Sequence, residues 1–260
     1  MANRKLVVWL RQGVAGWNQW REQYPDVMVD LSDTDLSDVD LSGANLSNAK
    51  LMRANLSEAN LSGADLRWVK LNQARLTSAS LSGARLAYAD LSDADLGGAD
   101  LSAAQLCDAK LRRAQLNQAQ LTNASLNRAR LNLSRLTQAN LDGADLGGAV
   151  LSEADLSQAR LTNVVLNRAR LNSTLLNQAD LSGADLSNAS LDHANLSRAN
   201  LNAAKLTKAL LQGANLEQVT VSGADFQGAD LRGIPWLIIK NLTLQPGTNF
   251  SGVLWDCPPD

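Results

Sequence analysis

Side chains that commonly perform catalysis or bind metals are sparse in this 260-residue chain. His193 is the only histidine, and Cys107 and Cys257 are the only cysteines. A histidine-based metal site or acid–base pair usually needs a second imidazole, which this chain lacks. Aspartates such as Asp95 and Asp185 recur at a fixed position before a leucine, so we expect solvated columns of carboxylates, not close pairs. The sequence therefore predicts no catalytic, metal or cofactor site, and we expect that the protein is not an enzyme.

The residues expected at the surface favour binding to another protein as the function. Trp68 and Tyr88 lie twenty residues apart, and we expect them to stack at one corner of the structure. Four basic residues are expected at neighbouring positions of the same repeats and the adjacent ones: Lys50, Lys70, Arg67 and Arg85. Exposed aromatic side chains beside basic ones are typical of interface anchors. We name these six residues the aromatic–basic patch and predict that it binds a protein partner; the alternative is that both aromatic residues are merely tolerated at the surface.

A second candidate surface consists of apolar residues at positions where other repeats are polar. Leu133, Val150 and Leu175 fall within a few repeats of one another on adjacent faces. Such residues could form a small exposed apolar patch for a partner. Chance drift among about forty repeats is the competing explanation.

The element that must position these residues is a repeat of five. Leucine occupies 39 of the 41 positions at five-residue spacing from Leu31 to Leu231, and the other two are Val221 and Phe226. A small residue, usually Ala, stands two places before nearly every one. A helix advances about 100° per residue, so this spacing would wind the leucines around its whole surface. A flat strand would send successive leucines to opposite faces, so the chain must turn once per repeat.

A weaker period of twenty residues gives the number of corners in each coil. Two places after every fourth leucine stands Gly, Ala or Asn, preceded by Ser, Thr, Asp or Asn, at positions 43, 63, 83 and onward to 223. This pattern favours a type II turn at one corner of each coil. We therefore predict an all-β solenoid of about ten coils, each with four short strands and twenty residues. At about 4.8 Å per coil, the rod would be about 48 Å long. Gln118, Gln138, Gln158 and Gln178 should form a ladder of amides along one edge.

Units such as Ala44 to Asn48 and Ala184 to Asn188 resemble the pentapeptide-repeat family over about 200 residues. The resemblance implies a right-handed quadrilateral parallel β-helix, and the stretch from Gly16 to Pro25 is similar to the helical cap of many cyanobacterial members. It also implies two functional alternatives. Some members regulate signalling or differentiation through protein contacts, whereas others are acidic rods that mimic duplex DNA and bind type II topoisomerases.

The two ends of the chain depart from the repeat and predict caps. Apolar residues from about Asn3 to Tyr24 recur at helical spacing, so we predict that residues 1–28 form an amphipathic helical cap. Binding of that helix to a membrane or a partner is the alternative. Residues 29–236 should form the β-helix, and residues 237–260 a C-terminal cap with a short out-of-phase repeat. That apolar end could instead serve as a homodimer interface.

Charge and composition narrow the partners further. The net charge is −2 and the pI about 5.5, so we expect neither nucleic acid nor an anionic membrane to be bound directly. The two cysteines give no disulfide framework, and we expect a cytoplasmic protein. A DNA mimic needs one strongly acidic face, yet basic residues occupy one face here: Lys50, Lys70, Lys110, Arg130 and Arg170. Docking of an unidentified protein partner is therefore the favoured function, and DNA mimicry the alternative.

Overall fold

The computed structural model describes residues 4–256 and the side chains from Leu6 onward. Parallel bridges join each residue before a leucine to its counterpart twenty positions later, from Asp30 with Lys50 through Leu210 with Asp230. Leu31 N–H donates to the Lys50 carbonyl at 2.7 Å, and Lys50 N–H donates to the Val29 carbonyl at 2.8 Å. This pairing confirms the predicted right-handed quadrilateral parallel β-helix.

The interior of the rod is filled by the leucine and alanine columns. The leucines of the five-residue series from Leu31 to Leu216 are at most 1% exposed, as are nearly all the small residues beside them. Phe226 replaces leucine near the C-terminal end and stacks on Phe250, with ring centroids 4.9 Å apart. Burial of each such side chain contributes about 1.5–3 kcal/mol, and the contacts are made between neighbouring coils.

All four corners of every coil use the same turn, which is a broader result than the sequence suggested. The second residue after each leucine has φ near +60°, whether it is Gly43, Arg53, Glu58 or Trp68. A backbone hydrogen bond closes the turns from Leu41 to Leu231, as from Ala44 N–H to the Leu41 carbonyl at 3.0 Å. One positive φ at the third residue is the type II pattern. The prediction of this turn at one corner only was too narrow, because hydrogen bonds between coils impose it even where the residue is not Gly or Asn.

Two short helices cover the N-terminal end, where a single helix was predicted. Helix α1 spans Arg4–Arg11 and helix α2 spans Val14–Gln23. The single-helix prediction was wrong because Gly13, with φ 136° and ψ 148°, adopts a conformation that an α-helix cannot contain. Residue Asn3, where that predicted helix began, lies outside the described residues.

Helix α2 binds the open edge of the first coil. Its Trp17 is fully buried, and the indole Nε1–H donates to the Asn45 carbonyl at 2.9 Å. The Asn18 amide accepts from Asn45 N–H at 2.8 Å and donates to the Gly43 carbonyl at 3.0 Å. These bonds pair part of the edge that has no preceding coil to bind, so this stretch is less available to another strand.

The C-terminal end contains one inserted helix. Helix α3 spans Trp236–Thr243, after which Asn249 and Leu254 form parallel bridges with Asp225 and Asp230. The spacing of these bridges is 24 residues instead of twenty, so four extra residues are accommodated by the helix and the repeat then resumes in the stack. This end exposes apolar side chains: Leu237, Leu244 and Leu254.

Candidate protein-binding surface

The aromatic pair stands at one corner of the rod, where the turn holds its backbone. Trp68 and Tyr88 have φ of 56° and 61° and occupy the same place in successive coils. Their rings are stacked, with centroids 5.4 Å apart and planes inclined by 5°. Both side chains remain about half exposed, at 49% and 50%. The structure therefore presents a fixed aromatic surface to the solvent.

The four basic residues of the aromatic–basic patch differ in how well they are neutralised. Arg67 donates from Nε and Nη2 to the two carboxylate oxygens of Asp65 at 2.8 and 2.5 Å, and its guanidinium lies 5.8 Å from the Trp68 ring centroid. Arg85 is 3.9 Å from the same carboxylate. Lys50 and Lys70 form a bridged pair in successive coils, and no described carboxylate lies within 4.0 Å of either ammonium.

Asp65 is the counter-ion of this surface. Partial burial opposes ionisation of its carboxyl group, but hydrogen bonds from the Arg67 side chain and backbone outweigh that effect and lower its pKa. The carboxylate is therefore charged at neutral pH. It cancels part of the positive charge of Arg67 and Arg85 and leaves the two lysines as the free cations of the patch.

The three residues of the second candidate surface are not brought into one groove. Val150 lies between Arg130 and Arg170 in one column of bridges. Leu175 lines a different groove of about 350 Å³ together with polar residues such as Asn195. Leu133 is 38% exposed at the corner between these two faces. Leu133 and Leu175 are exposed and Val150 is half-buried, and the three side chains lie at different places on the surface.

A groove beside the aromatic pair was not identified as a site from the sequence. It has a volume of about 610 Å³ and is lined by Tyr88, Asp108, Lys110, Arg128, Arg130, Gly148, Val150, Arg168 and Arg170. It continues the face that carries Lys50 and Lys70, and Tyr88 belongs to both surfaces. The sequence signal for it consists of basic residues twenty and forty positions apart in two columns, at positions 128 and 168 and at positions 110, 130 and 170.

The groups that could perform catalysis are separated along the rod. His193 is a corner residue with φ 58°, and Cys107 Sγ lies 3.3 Å from the Ser125 hydroxyl and 3.7 Å from the Asn127 amide oxygen. Within residues 4–256, no group of three His, Cys, Asp or Glu side chains is placed to hold a metal ion. Cys257 lies outside that range. None of the three described helices has the length and apolar character needed to cross a membrane.

The amide ladder predicted for one edge forms over three of its four residues. Gln118 Nε2 donates to Gln138 Oε1 at 3.2 Å, and Gln138 Nε2 donates to Gln158 Oε1 at 3.0 Å. Gln178, the fourth residue, makes no such bond. The ladder stabilises a corner other than the one that carries the aromatic pair, so it belongs to the scaffold.

The five-residue pattern matches a known protein family. A profile described as pentapeptide repeats finds eight copies in this chain, over residues 30–67, 59–98, 99–138, 129–168, 165–202 and 194–233. These segments run from residue 30 to residue 233 without a gap. No significant match was found among curated protein sequences.

Solved structures of the same architecture are also similar to this chain. One is HetL, a pentapeptide repeat protein involved in heterocyst differentiation regulation from the cyanobacterium Nostoc sp. strain PCC 7120. It is 36% identical, with a TM-score of 0.59, and the alignment covers 82% of this chain and 96% of HetL. Another is full-length QnrB1, a plasmid-mediated fluoroquinolone resistance protein, at 18% identity and a TM-score of 0.49, over 82% of this chain and 97% of QnrB1.

Proposed function

Because the chain belongs to the pentapeptide-repeat family over residues 30–233, we propose that it is a rigid, non-enzymatic scaffold that docks a protein partner through the aromatic–basic patch. HetL, at 36% identity, is involved in the regulation of differentiation. By that similarity the proposed role is regulatory, in the cytoplasm of a cyanobacterial cell. The partner is a protein that offers apolar and acidic groups to the patch.

The observation that carries this proposal is the half-exposed stack of Trp68 on Tyr88. Aromatic residues bring large contact area to an interface with few rotatable bonds. Here the turn and the bonds between coils already hold the backbone, so little further ordering is required when a partner binds. Lys50 and Lys70, which have no close carboxylate, supply charges that a partner can neutralise.

DNA mimicry of a type II topoisomerase substrate is the second candidate, and the charge distribution supports it less well. Such a mimic needs an acidic face that continues along the rod. The column from Lys50 to Arg170 instead carries five basic residues. Inhibition of gyrase supercoiling by micromolar protein would favour this second candidate over docking.

We predict that Trp68→Ala combined with Tyr88→Ala abolishes capture of the partner from a lysate of the native cell. The change removes the stacked surface but leaves the turn backbone and the core unchanged. The thermal midpoint should stay within a few degrees of the wild type, because both side chains are largely outside the core. Mass spectrometry of the captured proteins is the measurement.

The matched control is Gln138→Ala combined with Gln158→Ala. This pair also consists of stacked corner residues in successive coils and makes a direct bond at 3.0 Å. Capture should survive in the control. Retained capture in the aromatic double variant, with both proteins folded, would show that the patch is not the docking surface.

A further inference from the structure

The groove beyond Tyr88 is a shallow depression between two pairs of arginines. Arg128 and Arg168 stand at one corner with Gly148 between them, and Arg130 and Arg170 stand on the adjoining face with Val150 between them. We name these six residues the basic saddle. Each arginine pair is two coils apart, which is about 10 Å along the rod.

The small central residues create the depression. Gly148 has φ 66° and no side chain, and a Cβ there would meet only the Arg128 Cγ at 3.7 Å. Val150 is shorter than its neighbours Arg130 and Arg170 in the same column. The result is a groove of about 610 Å³ that four guanidinium groups line and that Lys110 extends.

Most of the positive charge in the saddle has no internal partner. Arg128 is neutralised, since it donates to both carboxylate oxygens of Asp108 at 2.9 and 2.6 Å. Within the described part of the chain, no carboxylate oxygen lies within 4.0 Å of Arg130, Arg168 or Arg170. Three guanidinium groups therefore have free donors directed to solvent.

The residues of the saddle also lack a hydrogen bond from side chain to backbone that stabilises the rod at other repeats. Where Asp stands before a leucine, its carboxylate accepts the backbone N–H two residues later, as from Gly147 to Asp145 at 2.9 Å and from Ser157 to Asp155 at 3.0 Å. Arg130, Val150 and Arg170 cannot accept such a bond. The saddle therefore forgoes three of these bonds on one face.

Like charges on neighbouring coils add to that cost. Lys110 and Arg130 are bridged partners in adjacent coils, and like charges directly opposite each other are destabilising. Of these two residues only Lys110 has a described carboxylate nearby, that of Asp90 at 3.9 Å. The missing bonds and the remaining repulsion are explained if an anionic group binds across the face.

We propose that the basic saddle binds an acidic segment of a protein partner, a short run of Asp and Glu side chains. Planar guanidinium groups pair with carboxylates through two parallel hydrogen bonds, and the three free arginines offer this geometry. The proposal rests on the proposed docking function, since Tyr88 joins the saddle to the aromatic–basic patch. A single partner would place apolar groups on the stack and acidic groups on the saddle.

A protein segment fits the saddle better than a nucleic acid does. Strong binding to a nucleic acid requires many phosphate contacts along a continuous basic strip. The saddle is about 10 Å long, and acidic residues such as Asp90 and Asp93 stand just before it on the same side of the rod. The chain as a whole carries a net charge of −2, which repels a long polyanion.

The test uses the full chain and a fluorescently labelled hexaglutamate peptide in an anisotropy titration. Binding should weaken with added salt, as expected for exposed ion pairs. Arg130→Gln combined with Arg170→Gln should weaken it at least tenfold. The matched control is Arg75→Gln combined with Arg135→Gln, which removes the same charge from the same repeat position on the next face and should leave binding within twofold.

Val150→Asp is the sharpest variant. It places a carboxylate between Arg130 and Arg170 and gives the Ser152 N–H the acceptor that aspartates provide in other repeats. We expect peptide binding to fall at least tenfold while the thermal midpoint stays equal to or above that of the wild type. Loss of binding then cannot be attributed to unfolding.

Three results would overturn the proposal. They are no binding of hexaglutamate to the wild type, equal loss in the saddle and control variants, or a six-nucleotide single-stranded DNA binding at least as tightly as the peptide. None of these would affect the docking function, which the Trp68 and Tyr88 variants test by capture. Conversely, loss of the docking function would leave peptide binding to the saddle measurable.

Discussion

Each corner of the rod holds one residue in the left-handed backbone region, whatever its side chain. Arg128, Gln138 and Tyr88 all have φ near +60°, a region that costs an L-residue about 1–2 kcal/mol. Hydrogen bonds made by the turn offset this cost. For example, the N–H of Tyr88 donates to the Cys107 carbonyl in the next coil at 3.0 Å. A non-glycine residue at a corner is therefore retained at some cost to stability, which is a reason to examine its side chain for a role.

At this scale we predict opposite effects of two substitutions in one corner column. Gly83→Ala should lower the free energy of unfolding by about 1 kcal/mol, because φ is 64° there and the only obstacle is the backbone conformation. Ala103→Gly, one coil away with φ 55°, should be neutral or raise it by a similar amount. Urea denaturation measures both. A decrease for Ala103→Gly would mean that the entropy of glycine in the unfolded chain outweighs the relief of strain.

The aspartates that precede the leucines form hydrogen bonds both within their own coil and to the next coil. Asp40 accepts the Ser42 N–H at 3.0 Å and a donor from Asn60 in the next coil at 3.0 Å. Asp35 makes the same contacts with Ser37 and Asn55. These repeated bonds join the corner of one coil to the face of the next, and Asn at the same position can make them as well.

The titration of these carboxylates predicts an acid-sensitive first coil. The backbone and side chain of Ser42 lower the pKa of Asp40, and the Ser37 side chain and backbone lower that of Asp35. A lowered folded pKa gives stability that is present above the unfolded value of about 3.9 and is lost as the pH falls below it. The thermal midpoint of the wild type should therefore decrease between pH 5 and pH 2.

The matched variant is Asp35→Asn combined with Asp40→Asn. Asn keeps an oxygen acceptor for the same donors but does not titrate, as Asn60 shows by accepting the Ser62 N–H at 3.1 Å. The midpoint of this variant should fall less between pH 5 and pH 2 than that of the wild type. Identical curves would assign the acid sensitivity to other carboxylates.

For the whole molecule, the five-residue repeat was sufficient to predict the fold, because every position at which the repeat places a leucine is also a buried position of the β-helix. The break at Gly13 was missed because the apolar spacing on either side of it suits one helix. The aromatic stack followed from the twenty-residue spacing of Trp68 and Tyr88. The basic saddle could not be predicted in this way, because it combines two columns of residues. It also depends on the small size of Gly148 and Val150, which creates a depression only between the larger arginines of the coils on either side.

The stability of a rod of stacked coils comes from contacts between neighbouring coils. A destabilising substitution in the middle should therefore divide the rod into two parts that unfold independently. Leu126 is fully buried near the centre, and Leu126→Asp would place an unpaired carboxylate among leucines. We expect a loss of more than about 4 kcal/mol. The coils on either side should then unfold separately, which appears as two transitions in calorimetry and as uneven hydrogen exchange.

The control for this variant is Gln105→Asp, which adds the same charge at an outward position one coil away. Gln105 is exposed and bridged to Arg85, so the new carboxylate has water and a cation beside it. The effect should lie within about 0.5 kcal/mol. A single transition in Leu126→Asp, shifted as a whole, would mean that the coils are coupled beyond their nearest neighbours.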